Sequence, residues 1–87
     1  MSTAYFLVNA KTNCELEIIG KIKSILKHAN IQYEIQRVFG VYDIIVKISA
    51  STDNSLRKIV LEQLHKIENI ESAITMMVNE KQEEIIA

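Results

Sequence analysis

The order in which strand-like and helix-like segments alternate constrains this chain more than any other feature. Residues 4–9 (AYFLVN) form a short apolar run, typical of a strand that is buried on both faces. Residues 42–48 (YDIIVKI) form a second such run, dense in β-branched residues. Residues 31–38 alternate between apolar and polar, which predicts a strand with one wetter face. Residues 72–78 (SAITMMV) predict a fourth strand.

Two amphipathic helical segments separate these strands. The first is expected to follow a capping box formed by Thr12 and Glu15, and Gly20 inside it is expected to mark a close packing point. The second should follow the N-cap-rich residues 51–55. The first helix is expected to turn six aliphatic residues inward: Leu16, Ile18, Ile19, Ile22, Ile25 and Leu26. The second should turn five inward: Leu56, Ile59, Val60, Leu64 and Ile67.

The resulting order, β-α-β-β-α-β, predicts an α+β fold of the ferredoxin-like kind. Its four-stranded antiparallel sheet carries both helices on one face, and right-handed crossovers put the first and third strands in the centre. The other face of the sheet stays bare, and we expect it to be covered by a second copy in a dimer. Strand alternation assigns six residues to that face: Tyr5, Leu7, Ile45, Ala73, Thr75 and Met77.

Length and composition agree with one small domain. The 87 residues leave no room for a second module, so we expect a domain over residues 1–78 and a charged tail over residues 79–87. A monomer of this mass buries only about 64% of its extended surface. Because 48% of the residues are hydrophobic, the excess apolar surface is expected to lie against another subunit.

Charge and residue content exclude several functions. The net charge is −1 and the basic residues are scattered, which disfavours direct binding to nucleic acid. No apolar run approaches the roughly 20 residues of a membrane span, and no signal peptide is visible. Cys14 is the single cysteine and no metal-ligand cluster occurs, so we expect a cytoplasmic protein without metal or cofactor.

Residues 38–46 (VFGVYDIIV) carry the most informative motif. A glycine turn followed by Tyr42, Asp43 and an apolar strand resembles the G-x-Y-D signature of the effector domain of Lrp/AsnC-type transcriptional regulators, also called the RAM domain. The resemblance covers about residues 4–78. It includes the spacing of both helices and an I-x-x-I-x-S-x-x-T run formed by Ile67, Ile70, Ser72 and Thr75.

The resemblance implies that an amino-acid effector binds beside this turn. Backbone N–H groups freed by Gly40 would bind its carboxylate, and Asp43 would bind its ammonium group. The remaining candidate ligand-binding residues are Phe39, Val41, Tyr42, Ser72 and Thr75. Structural roles stay open for several of them: Asp43 as a cap on the Gly40 turn, Tyr42 as an interface residue, and Ser72 and Thr75 as cross-strand partners.

The sequence also departs from the family pattern. Phe39 and Val41 occupy positions where small or polar residues are common, which favours an apolar or small ligand side chain. Residues 68–69 (Glu-Asn) replace a Pro-Gly pair, a change expected to affect only a turn. Family members usually carry an N-terminal helix-turn-helix, whereas this sequence starts at the effector domain, so it resembles a stand-alone RAM protein.

The expected function is therefore an amino-acid-sensing regulatory module without its own DNA-binding domain. It would form a homodimer that assembles further, for example to an octamer, and would act through a full-length Lrp/AsnC relative. The alternative is a ligand-free structural adaptor that only forms oligomers. An enzyme is not expected, because no constellation of nucleophile, base and acid is present, and His28 and His65 are interpreted as solvated helix residues.

Overall fold

The computed structural model describes residues 1–78 and confirms the predicted fold class. The strands are β1 (Ser2–Ala10), β2 (Gln32–Arg37), β3 (Ile44–Ala50) and β4 (Ile70–Met77). The helices are α1 (Glu15–His28) and α2 (Asp53–Glu62), and a short 3₁₀ helix, Leu64–Lys66, follows α2. All strand pairs are antiparallel and the sheet order is β2-β3-β1-β4, so β1 and β3 are central as predicted. The predicted tail, residues 79–87, lies outside the described residues.

The core lies between one face of the sheet and the two helices. Alternate residues of the central strands are buried there, because β1 and β3 pair in register and send directly opposite residues to the same face. The main strand residues of this core are Ala4, Phe6, Val8, Ile44, Val46 and Ile48. The helical residues packed against them are Ile18, Ile22, Leu26, Leu56, Ile59, Val60, Leu64 and Ile67.

Helix α1 begins differently from the prediction. The capping box is wrong: Cys14 is the N-cap residue, it makes no side-chain cap, and Glu15 is the first helical residue. A backbone turn from Cys14 N–H to the Lys11 carbonyl, 2.9 Å, leads into the helix instead. Leu16 is also wrong as a core residue, since it is 71% exposed and lies about 120° around the helix from Ile22.

Helix α2 and the 3₁₀ helix after it agree more closely with the prediction. Thr52 is the N-cap, and its hydroxyl accepts a hydrogen bond of 3.1 Å from the Ser55 N–H. The helix ends at Glu62, but the short 3₁₀ helix keeps Leu64 turned into the core. Within residues 1–78, no helix is long and apolar enough to cross a bilayer.

Residues 68–69, which depart from the Pro-Gly pair of the family pattern, lie in the turn before β4. Asn69 adopts a φ of 70°, a left-handed conformation that asparagine tolerates better than most residues. Its carbonyl accepts a hydrogen bond from Lys11 N–H at 2.9 Å, and its side chain donates one to Glu17 at 3.0 Å. Asn69 thus links the turn to Lys11, which follows β1, and to Glu17 of α1, and the expectation that the change affects only the turn stays a prediction.

The second face of the sheet, here called the open face, differs from the prediction at β4. Thr75 pairs with Phe6, and Met77 pairs with Ala4, so Ala73, Thr75 and Met77 lie on the helix side and were wrongly assigned to the open face. The apolar part of the open face is formed by β1, β3, β4 and the residue after β4: Tyr5, Leu7, Ile45, Ile74, Met76 and Val78. The half next to β2 is polar, with Gln32, Glu34, Gln36 and Lys47.

Candidate functional site

The turn between β2 and β3 projects beyond the sheet. The Val38 N–H donates to the Asp43 carbonyl at 2.9 Å, which closes the turn at its base. The Asp43 N–H donates to the Val8 carbonyl at 2.9 Å, which joins the base to β1. At the tip, Phe39 and Val41 are 107% and 81% exposed. The turn therefore has a base held by hydrogen bonds and two exposed apolar side chains at its tip.

Gly40 has a positive φ. Its φ is +139°, a conformation that side-chain-bearing residues rarely adopt, and a Cβ there would meet no atom within 4 Å. We therefore expect Gly40→Ala to lower the free energy of unfolding by about 1–3 kcal/mol through backbone strain alone. Urea unfolding measures this change.

Gly20 supplies the matched control. The expectation of a close packing point is wrong, because Gly20 is exposed on α1 and a Cβ added to it would have no neighbouring atom within 4 Å. Gly20→Ala should raise the free energy of unfolding by about 0.5–1 kcal/mol through helix propensity. Shifts of the same sign in the two variants would contradict this account of the turn.

Asp43 has a partner that neither sequence interpretation named. Its Oδ2 accepts a hydrogen bond of 2.9 Å from the backbone N–H of Ala10, the last residue of β1. The β1–β3 register ends at the Val8–Ile44 pair, and β1 is irregular against β4 between Asn9 and Ala10. The half-buried Asp43 carboxylate thus accepts a hydrogen bond from an N–H at the end of β1, past the last β1–β3 pair, and does not cap the Gly40 turn. Its Oδ1 accepts no hydrogen bond from residues 1–78.

A cleft of about 410 Å³ opens beside this turn on the helix side of the sheet. We call this opening the turn cleft. It is lined by Glu15, Arg37, Val38, Phe39 and Asp43. The cleft holds one guanidinium, that of Arg37, and two carboxylates, those of Glu15 and Asp43. Arg37 Nη2 lies 3.8 Å from Glu15 Oε2. Phe39 lines the cleft but is fully exposed, so it does not close it.

Three residues that were not predicted for the site also line the cleft: Glu15, Arg37 and Val38. Two signals for Arg37 were present: alternation in β2 puts it on the helix side with Tyr33 and Ile35, and it is the last residue before the turn. Nothing in the sequence indicated that the start of α1 would lie opposite. Because Glu15 is not used in a capping box, its carboxylate is free to contact Arg37.

The structure brings together only some of the predicted site residues. Phe39 and Asp43 line the turn cleft. Between them in the same turn lie Gly40, Val41 and Tyr42. Ser72 lies on the open face of β4, where its hydroxyl accepts a hydrogen bond of 3.3 Å from Asn9. Neither Ser72 nor Thr75 lines the turn cleft of the same chain.

Thr75 contacts His65 instead. The His65 Nε2 and the Thr75 hydroxyl are 3.0 Å apart, and the imidazole packs edge-on against Phe6 with ring centroids 5.1 Å apart. His65 lies in the 3₁₀ helix. It was expected to be a solvated helix residue, but its side chain contacts both Thr75 and Phe6. His28, at the end of α1, is exposed as expected. Among residues 1–78, no group of three or more metal-ligating side chains occurs.

No family model matches the sequence, and no curated protein matches it. Solved structures do match. The crystal structure of FFRP-DM1 gives a TM-score of 0.74 at 28% sequence identity, covering 91% of this chain and 100% of that chain. The E. coli AsnC structure gives a TM-score of 0.74 at 18% identity and covers 99% of this chain. The present chain spans 54% of AsnC.

A third neighbour carries an amino acid. The transcriptional regulator NMB0573 from Neisseria meningitidis, in complex with L-Met, gives a TM-score of 0.66 at 12% identity over 95% of this chain and 53% of that chain. These three neighbours include a transcriptional regulator, NMB0573, and no enzyme, in agreement with the expectation from the sequence. The matches show that these proteins share the fold of this chain. The resemblance seen in the sequence is thus confirmed in three dimensions: this chain is similar, over nearly its whole length, to the RAM domain of Lrp/AsnC-family proteins.

Proposed function

We propose that this chain is an amino-acid-sensing regulatory module that acts through ligand-modulated assembly. The observation that carries the proposal is the turn cleft, where carboxylates, a guanidinium and the apolar Phe39 and Val38 surround one opening. A free amino acid carries both charges and a side chain, and each has a counterpart among these residues. The L-Met complex of NMB0573, a regulator with the same fold, supports this choice of ligand class.

Assembly is the proposed output. The apolar part of the open face would pack against a second copy to form a homodimer, because Ile74 and Met76 stay 43% and 48% exposed in a single chain. Dimers would then meet through their turn tips, where Phe39 and Val41 are exposed. Gly40, Tyr42, Ser72 and Thr75 keep their proposed ligand-binding roles only in such an assembly. A ligand held between dimers would shift the oligomer equilibrium by linkage.

The module would regulate transcription through another protein. Both α1 and α2 pack on the sheet with their apolar faces, so residues 1–78 contain no helix-turn-helix. The proposed partner is a full-length Lrp/AsnC regulator that shares the same dimer or higher-oligomer interface. Ligand binding would then change the composition of a mixed assembly.

Isothermal titration calorimetry with the twenty common amino acids tests the proposed ligand class. We expect binding by one or a few apolar or small amino acids, and none by lysine or arginine. Binding should weaken as salt rises, because charged groups hold the ligand. Heats of dilution alone for every amino acid, with a folded and oligomeric protein, would contradict sensing.

That negative result would favour the second candidate, a ligand-free adaptor. The observation in its favour is the turn tip itself. Phe39 and Val41 are exposed apolar residues that would hold dimers together without any ligand. Under this alternative, Phe39→Ser would reduce the oligomer size and no amino acid would restore it.

A further inference from the structure

The Arg37 guanidinium is only partly used in this structure. Its Nη2 lies 3.8 Å from Glu15 Oε2, which is a contact between charges but is longer than a hydrogen bond. The Arg37 side chain is 57% exposed, and within residues 1–78 it donates no side-chain hydrogen bond. Arginine carries five N–H donors in a planar fork that matches a carboxylate. Donors in the turn cleft are therefore available to a second anion.

Asp43 and Arg37 offer opposite charges to one small molecule. Asp43 Oδ2 is occupied by the Ala10 N–H, which fixes the carboxylate and leaves Oδ1 for another donor. Arg37 is the last residue of β2 and lines the same cleft. In an α-amino acid the ammonium and carboxylate groups sit on neighbouring carbons. Because Arg37, Asp43 and Phe39 line the same cleft, one such molecule would contact both charged groups with its backbone and Phe39 with its side chain.

We propose that Arg37 binds the carboxylate of the amino-acid ligand and that Glu15 holds Arg37 in the unliganded state. This inference rests on the proposed function and names the chemistry of the same site. The ligand carboxylate would replace the Glu15 carboxylate as the partner of the guanidinium, while Asp43 binds the ammonium group. The site then selects apolar α-amino acids with a free carboxylate and rejects the corresponding amines and amides.

The two acidic residues of the turn cleft thus act in opposite directions. Asp43 attracts the ligand, whereas Glu15 competes with it for Arg37. Removing the Glu15 charge should therefore tighten binding, although it removes a negative charge from beside a ligand that carries an ammonium group. A cleft that merely attracted cations would respond in the reverse direction.

Calorimetric titration of four proteins tests this assignment with two probe pairs. The proteins are wild type, Arg37→Gln, Glu15→Gln and the control Lys23→Gln, which removes an exposed positive charge of α1 that does not line the turn cleft. The probes are L-leucine with 3-methylbutylamine, and L-methionine with its decarboxylated amine. The unfolding midpoint of each variant shows whether it is folded.

We expect wild type and Lys23→Gln to bind the amino acid about 10- to 100-fold more tightly than its amine. Arg37→Gln should lose that preference and bind both probes as weakly as wild type binds the amine. Glu15→Gln should bind the amino acid about 2- to 5-fold more tightly than wild type, the effect of removing one exposed charge contact.

The possible failures are distinguishable. If wild type binds the amino acid and Arg37→Gln keeps the preference over the amine, the assignment of Arg37 is overturned and the proposed function stands. Weaker binding by Glu15→Gln would overturn the competing role of Glu15. If folded wild type binds none of the four probes and no amino acid in the wider panel, both the function and this inference fail.

Discussion

Replacing Ile45 by lysine is expected to dissociate the proposed dimer. Ile45 lies on the open face, directly opposite Leu7 on β1, in the apolar part of the sheet. Two ammonium groups would be stranded against apolar surface in each dimer, so the dimer dissociation constant should rise by at least about 100-fold. Analytical ultracentrifugation over a range of protein concentrations measures it.

A second variant separates dissociation from unfolding, since Ile45 is half-buried even in a single chain. Met76 lies on the same face and is 48% exposed, so a monomer tolerates lysine there. Met76→Lys should give a folded monomer. Leu61→Lys is the control, because Leu61 is 65% exposed on α2 away from the open face, and it should leave the dimer intact. A Met76→Lys protein as dimeric as wild type would contradict the interface.

Asp43→Ala should affect stability and ligand binding together. The Ala10 N–H loses its acceptor, which lowers the free energy of unfolding by about 1–3 kcal/mol. The ligand ammonium loses a charge-assisted hydrogen bond, so affinity should fall about 10- to 150-fold. Urea unfolding and calorimetry measure the two effects on the same preparation.

Asp43→Asn separates these two effects. Its amide oxygen still accepts from Ala10 N–H, so the free energy of unfolding should stay within about 1 kcal/mol of wild type. The negative charge is gone, so the affinity for an amino acid should still fall about 10-fold. Wild-type affinity in Asp43→Asn would show that the carboxylate serves β1 and not the ligand.

The fold was predictable because the apolar pattern of each strand agrees with its place in the sheet. β1 and β3 are apolar on both faces and became the central strands, and β2 alternates and became an edge strand. β4 shows where alternation fails. Both of its faces carry apolar residues, Ala73 and Met77 on one and Ile74 and Met76 on the other. Only the pairing of Thr75 with Phe6 decides which set faces the helices.

The site was predictable only along the turn itself. The positive φ of Gly40 follows from local backbone chemistry. The partner of Asp43 does not, because Ala10 lies 33 residues earlier in the chain. The contact between Glu15 and Arg37 depends likewise on where α1 starts relative to the end of β2. Contacts between distant segments need the register and the exact helix boundary, which local patterns leave undetermined by a residue or two.

Native mass spectrometry with each of the twenty amino acids tests the central claim, ligand-modulated assembly, most directly. It reports subunit number and retained ligand in one spectrum of the wild-type protein. We predict an even number of subunits, an added mass of one amino acid per site with an apolar or small member of the panel, and a changed oligomer distribution with that member only. A distribution identical for all twenty, with no added mass, would contradict the account.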